Sequence, residues 1–237
     1  MAGSLVQHRM SSLGAVSSAS LAFSSPVTIG NRVIVGVSCF PNTRTISSIA
    51  DNGTTPNSYS NDVANVSNAT IGDTYNIRSA QVATNPGSGN LQVTVTFSGA
   101  ISGGNIFIQE VSGLDTTASP VDRSGANVNT SAVTSGSVTS SGNTTATGEY
   151  SFGIFAFGGN AQNMTGASST TVDDFDNTNG ANSAHKSATA GGTETLNVTW
   201  TNTSTYMAGI CVYKLVGATV ASLLPAVRAA RATYLRR

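Results

Sequence analysis

The stretch "GNRVIVGVSCF" (residues 30–40) decides the fold. Val33, Val35, Val37 and Cys39 alternate with Ile34, Gly36, Ser38 and Phe40, so a period of two runs through it. Successive side chains of a strand point to opposite faces, and that period is the mark of a strand rather than a helix. "LQVTVTFSG" (91–99) carries the same period, with Leu91, Val93, Val95 and Phe97 inward and Gln92, Thr94 and Thr96 outward. That division is the pattern of a half-buried antiparallel strand. "GGNIFIQEVSGL" (103–114), "GEYSFGIFAF" (148–157), "ETLNVTWTN" (194–202) and "YMAGICVYKLV" (206–216) are of the same kind. Between the strands lie "DNGTTPNS" (51–58), "TNPGSGN" (84–90), "SGLDTTASP" (112–120) and "DNTNGANS" (176–183), stretches of turn-forming Gly, Asn, Asp and Pro. Short strands with such punctuation predict an all-β, antiparallel β-sandwich of jelly-roll-like form.

Composition agrees with an ordered chain. Of 237 residues only 9% are charged and the formal net charge is zero, while Val, Ile and Thr recur in alternating runs. Disordered chains combine high net charge with few β-branched residues, so this one is read as folded. Its length leaves room for one large core or two small ones. The charge is unevenly placed: Arg228, Arg231, Arg236 and Arg237 fall in the last ten positions, leaving seven basic against eleven acidic residues elsewhere. A mildly acidic body has no basic face to follow phosphates, and nucleic acid is not expected as a partner. No run approaches the roughly 20 apolar residues of a membrane span, and the first residues lack the pattern of a secretory signal. Cys39 and Cys211 each sit in an apolar strand and are read as buried thiols.

The opening stretch has a counterpart. Setting Gly36 on Gly153 brings Ala15 onto Ala132, Val16 onto Val133, Leu21 onto Val138 and Phe40 onto Phe157. With a shorter offset "LQVTVTF" meets "LNVTWTN", and Gly113 meets Gly217. Order and spacing are kept while identity is poor, which points to an internal pseudo-duplication. The expected organisation is one β-sandwich domain over residues 1–217, built from halves at about 4–113 and 121–217; two separate immunoglobulin-like modules are the alternative. "DTTASPVDRSGANVNTSAVTSGS" (115–137) is read as a polar connection between the halves. Residues 218–237 form a basic tail; Pro225 suits a first helical turn and the Ala, Leu and Arg that follow favour a short helix.

"FSSPVTIGNRVIVGVSCF", "ISSIADNGTTPNSY" and "LQVTVTFSGAISGGNIFIQEVSGL", closed by "GICVYKLVG", together resemble a jelly-roll-like β-sandwich module of bacterial and bacteriophage surface and virion proteins. The likeness spans nearly all of residues 4–217. It implies a scaffold rather than a chemistry, because such modules are attached to many functions. It also implies homo-oligomers, often trimers.

Residues that could carry chemistry are few. His8 and His185 lie outside any recognised catalytic motif, and His185 beside Lys186 is read as a solvated loop residue. A general acid–base pair needs groups facing one cleft, and no enzyme activity is expected. "VDDFDNTNG" (172–180) concentrates Asp173, Asp174 and Asp176 with Asn177 and Asn179. Oxygens at alternate positions can wrap calcium, though the distal Glu of an EF-hand is missing and the bland reading is a turn. A structural calcium there is the one cofactor considered. Glycan binding would need exposed aromatic rings; Tyr59, Tyr75 and Tyr150 are candidates, while Trp200 sits at a core position of its strand.

The reading these features favour is a non-enzymatic structural virion protein of a bacteriophage: a capsid decoration or cement protein, or another multi-copy particle component, made in the host cytoplasm. Its partners would be the capsid shell and other virion proteins, with Arg228, Arg231, Arg236 and Arg237 as partner contacts, and neither nucleic acid nor membrane. The alternatives are an extracellular or cell-surface adhesin or carbohydrate-binding module, and a self-assembling filament subunit.

Overall fold

The computed structural model describes residues 2–117, 119–159, 163–176, 180–188 and 191–217, and all regular elements among them are strands. They are β1 (Ser4–Leu13), β2 (Ser18–Ala22), β3 (Arg32–Phe40), β4 (Ile46–Asp51), β5 (Ser60–Ser67), β6 (Thr74–Gln81) and β7 (Gln92–Phe97). Then follow β8 (Gly103–Ser112), β9 (Val121–Asn143), β10 (Tyr150–Phe157), β11 (Thr165–Ala167), β12 (Thr171–Phe175), β13 (Ala181–Ser187) and β14 (Thr193–Tyr213). The basic tail and its expected helix lie outside the described residues.

All pairings between these strands are antiparallel, and they make three sheets. A five-stranded sheet has the order β1-β8-β3-β6-β5, and a three-stranded one the order β2-β7-β4. In the six-stranded sheet β14 stands between β10 and β9, and β13 and β12 continue on the far side of β10. The start of β14 also pairs with β11 and with the end of β9. Both long strands break register between Thr199 and Ser204, and there the sheet turns back over itself. Gly125 and Thr139 of the one strand β9 lie so close that a Cβ on Gly125 would overlap the Thr139 carbonyl.

The opening stretch becomes β3, at the centre of the five-stranded sheet, and both of its faces are buried. Val33, Val35, Val37 and Cys39 pack with Ile106 and Ile108 against Leu21, Ile49, Val93 and Val95 of the three-stranded sheet. On the opposite face Ile34, Tyr75, Ile77 and Phe107 meet Phe152, Ile154, Met207 and Cys211 of the six-stranded sheet. The outer face of that second sheet, with Phe155, Ala208, Ile210 and Val212, is covered by Val138, Leu196, Val198 and Trp200 of the folded-back portion. Four layers thus enclose three apolar cores. Each fully buried side chain of Val, Leu, Ile or Phe size contributes about 1.5–3 kcal/mol relative to exposure.

The two larger sheets interlock through glycine. At Gly36 a Cβ would stand 2.9 Å from the Phe152 ring, and at Gly209 one would stand 2.5 Å from the Tyr75 ring. Each sheet therefore sets an aromatic ring over a glycine of the other. The Tyr75 hydroxyl completes the contact by donating to the Ala208 carbonyl at 2.7 Å.

Two readings of the sequence are corrected here. Much of the presumed polar connection is strand: β9 begins at Val121 and runs for 23 residues, with an alternating but mostly exposed pattern. It is paired along β14, so most of its polar side chains face water and it is held chiefly by its main chain, with Val138 as a buried anchor. His185 is not in a loop either, since it lies within β13 opposite Phe152 of β10.

Candidate functional site: the polar seams and two cavities

Polar residues inside otherwise apolar strands are costly unless bonded, so their partners show what they do. Among the described residues many of them lie in two seams along the edges of the contact between the larger sheets.

At the first seam β12 lies beside β1 and β8. Asp173 accepts from Gln109 Nε2 at 2.7 Å and is bonded to His185 Nδ1 at 2.6 Å. Gln109 in turn accepts from the Tyr150 hydroxyl at 2.7 Å, and the Tyr150 and His185 rings stack at 5.2 Å between centroids. Asp174 is bonded to His8 Nδ1 at 3.0 Å and accepts from Ser183 Oγ at 3.4 Å. Asp176 accepts from Ser12 Oγ and from Asn105 Nδ2, the latter at 2.5 Å. All three aspartates of the calcium candidate thus have protein partners, and two of them bridge to strands about a hundred residues or more away. No group of three or more His, Cys, Asp or Glu suited to a metal occurs among the described residues. Asn177 and Asn179 lie outside the described residues. Adding calcium chloride or a chelator should leave the melting temperature unchanged in a thermal scan; a rise of several degrees with calcium would mean that the ion competes for these oxygens.

The second seam joins β5 to β14. Asp62 accepts from Tyr213 Oη at 2.8 Å and from Ser60 Oγ at 2.5 Å. Arg32, only 3% exposed, donates to the Asp115 and Thr117 carbonyls and to Ser79 Oγ. Burial lowers the Arg32 pKa, while Tyr213 and Asp62 oppose that shift through their charge. Burial raises the Asp62 pKa against the opposing effect of its hydrogen bonds and of Arg32. A cavity of about 330 Å³ opens beside this group, lined by Arg32, Ser58, Ser60, Ser79 and Gln81.

A second cavity, of about 400 Å³, lies where the ends of β3 and β10 meet, bounded by Phe40, Asn42, Ile71, Asp73, Phe157 and Gly159. Asp73 is 5% exposed, and its carboxylate has no hydrogen-bond partner among the described residues. Burial alone pushes its pKa up to about 7. The charge of Asp73 also adds to the burial that raises the Cys39 thiol to about 12.

Burial raises Asp62, Asp73, Asp174 and Glu149 alike, and this fixes the sign of the pH dependence. A carboxyl held above its unfolded value favours the fold while protonated. Its contribution is full below the unfolded pKa and is lost as pH rises through the folded one. For Asp73 the window runs from 3.8 to about 7. Stability should therefore fall by roughly 2–4 kcal/mol between pH 5 and pH 8 on its account, and Asp73→Asn should remove most of that slope. Urea titrations at the two pH values measure both.

The remaining candidates find places in the core. Trp200 is 4% exposed, packs edge-on against Phe157 and Tyr206 at 4.8 and 5.5 Å, and donates from Nε1 to the Val133 carbonyl. Tyr75 and Tyr150 are fully buried, so neither offers a platform to a sugar. Tyr59 is spent on Asp51, which also binds the Gly53 and Asn57 main-chain amides and shapes the loop from 51 to 59. Cys39 and Cys211 are buried free thiols in different cores. Lys186 pairs with Glu194 at 2.6 Å. Arg228, Arg231, Arg236 and Arg237 lie outside the described residues.

Sequence reasoning missed Asn105, Gln109, Arg32, Asp62 and Asp73. For the first two a signal was present, since "GGNIFIQEVSGL" places Asn105 and Gln109 in a run that is otherwise apolar. A polar residue at an inward position of a buried strand announces a partner across the core.

The fold and the seams define an all-β protein of stacked antiparallel sheets, held by apolar cores and by polar bonds at their edges. No family model, no curated protein and no solved structure matches the chain.

Proposed function

We propose that this chain is a non-enzymatic structural protein of a bacteriophage particle, a capsid decoration or cement protein or another multi-copy component. The observation that carries the reading is the use made of ionisable side chains. Asp51, Asp62, Glu110, Asp173, Asp174, Asp176 and Arg32 are each tied to other parts of the same chain, across sheets or under loops. Side chains spent in this way stiffen a scaffold. The sequence resemblance to modules of phage and bacterial surface proteins supports the same reading.

Strand order supports a finer reading of the architecture. In the first half β1-β8-β3-β6 faces β2-β7-β4. This order suits a jelly roll, since successive strands alternate between two sheets and the first pairs with the last. In the second half the start of β9, the end of β14, β10 and β13 take the first role, and the end of β9, the start of β14 and β11 the second. We infer that the two halves are copies of one jelly roll, packed through their larger sheets into a single domain. The partners under this proposal are the capsid shell and further copies of the chain, with the arginines of the tail as contacts.

Purified particles provide the test. The protein should sediment with intact virions through a density gradient and appear by quantitative mass spectrometry in tens of copies or more per particle. Its absence from particles, or recovery only in the soluble fraction after lysis, would overturn the proposal.

A further inference from the structure

The cavity at the shared end of β3 and β10 contains a feature that the scaffold itself does not require. Buried polar groups in folded proteins are bonded with few exceptions, and each exception calls for an explanation. Asp73 is held deep without such a bond: its side chain lines the cavity, the residue is 5% exposed, and its carboxylate, which opens into the cavity, accepts from no donor among the described residues. The other aspartates named above all accept hydrogen bonds. An uncompensated carboxylate at this depth costs stability, which a scaffold would avoid by carrying Asn or Ser.

The surroundings select the chemistry of what would complete it. Phe40, Phe157 and Ile71 supply apolar and aromatic surface, and Asn42, Gly158 and Gly159 supply small polar edges. A divalent metal is a poor fit, because hard cations take six to eight oxygens and the described residues of the lining offer one carboxylate beside two phenyl groups. An anion would be repelled. An organic cation satisfies both parts, its charge paired with the carboxylate and its stem or π-facing surface against the rings. The volume of about 400 Å³ falls in the range of small-ligand sites.

We propose that the cavity between Phe40, Ile71, Asp73 and Phe157 is a binding site for a single organic cation, a guanidinium or primary ammonium on a short apolar stem. The cation is either a free small molecule or the side chain of an arginine or lysine on another chain. This site stands independently of the virion reading. Binding brings the charge that the buried carboxylate lacks, so it also stabilises the fold at neutral and alkaline pH.

The test is a titration of the full chain at pH 8, followed by amide chemical shifts of Gly72, Gly158 and Gly159. The probes are ethylguanidinium chloride, n-butylammonium chloride, the capped tripeptide Gly-Arg-Gly, and neutral ethylurea. Both small cations should give saturable shifts at these amides, and ethylurea none. Asp73→Asn should weaken cation binding at least tenfold while leaving amide shifts of the β3–β8 region in place; Asp73→Ser gives the same comparison if the first variant folds poorly. A capped peptide that binds at least tenfold tighter than ethylguanidinium assigns the site to a basic side chain of another chain, and the reverse order assigns it to a free cation. Equal binding of ethylurea and ethylguanidinium, undiminished binding to Asp73→Asn, or no saturable shift with any cation overturns the proposal.

Discussion

Gly209→Val is expected to destabilise the protein by roughly 3–5 kcal/mol, combining overpacking at a closed interface with the loss of a buried hydrogen bond. The Tyr75 ring lies where the new side chain must go, since even a Cβ would stand 2.5 Å from it. Displacing the ring also pulls the Tyr75 hydroxyl from the Ala208 carbonyl. Tyr75→Phe separates the two effects, because it keeps the ring and loses only the bond, at about 1 kcal/mol. Gly36→Val, pressed against Phe152, should behave like Gly209→Val. Urea denaturation of the three variants gives the ranking. A loss of less than about 1 kcal/mol for Gly209→Val would mean that the larger sheets are not in close contact.

Arg32→Met is expected to cost about 2–4 kcal/mol, because it removes a buried guanidinium that serves the Asp115 and Thr117 carbonyls and Ser79 Oγ, and with it a charge that favours the ionised form of half-buried Asp62. Asp62 keeps the hydroxyls of Tyr213 and Ser60 but loses the nearby positive charge, and the carbonyls of Asp115 and Thr117 lose their donor. Asp62→Asn in the same chain should recover part of the loss, so the double variant is more stable than the sum of the singles predicts. Strict additivity would show that the two side chains do not sense each other. The expected coupling is read from the same denaturation curves.

The alternation in "GNRVIVGVSCF" was enough to identify a strand and to sort its two faces, because period two follows from backbone geometry alone. It did not show that both faces are buried, since a core strand and a half-exposed strand share the period when glycine and small residues alternate with valine. Trp200 and the two thiols were legible as core for the same reason. β9 was not legible, because an edge strand needs no apolar side chains to hold its place. The aspartates of "VDDFD" stood out by their density, yet their partners Ser12, Asn105, Gln109 and His8 are distant in sequence. Nothing local marks which of many polar residues a long-range contact will select. Asp73 is the extreme case, an ordinary "GD" turn in the sequence whose meaning comes from burial.

The central claim is that the two larger sheets share one core, with Ile34, Tyr75 and Phe107 on one side and Phe152, Ile154 and Met207 on the other. Differential scanning calorimetry of the full chain tests it most directly. A shared core predicts one unfolding transition with calorimetric and van't Hoff enthalpies in agreement, shifted as a whole by Gly209→Val. Two resolved transitions, of which only one moves with that substitution, would contradict it.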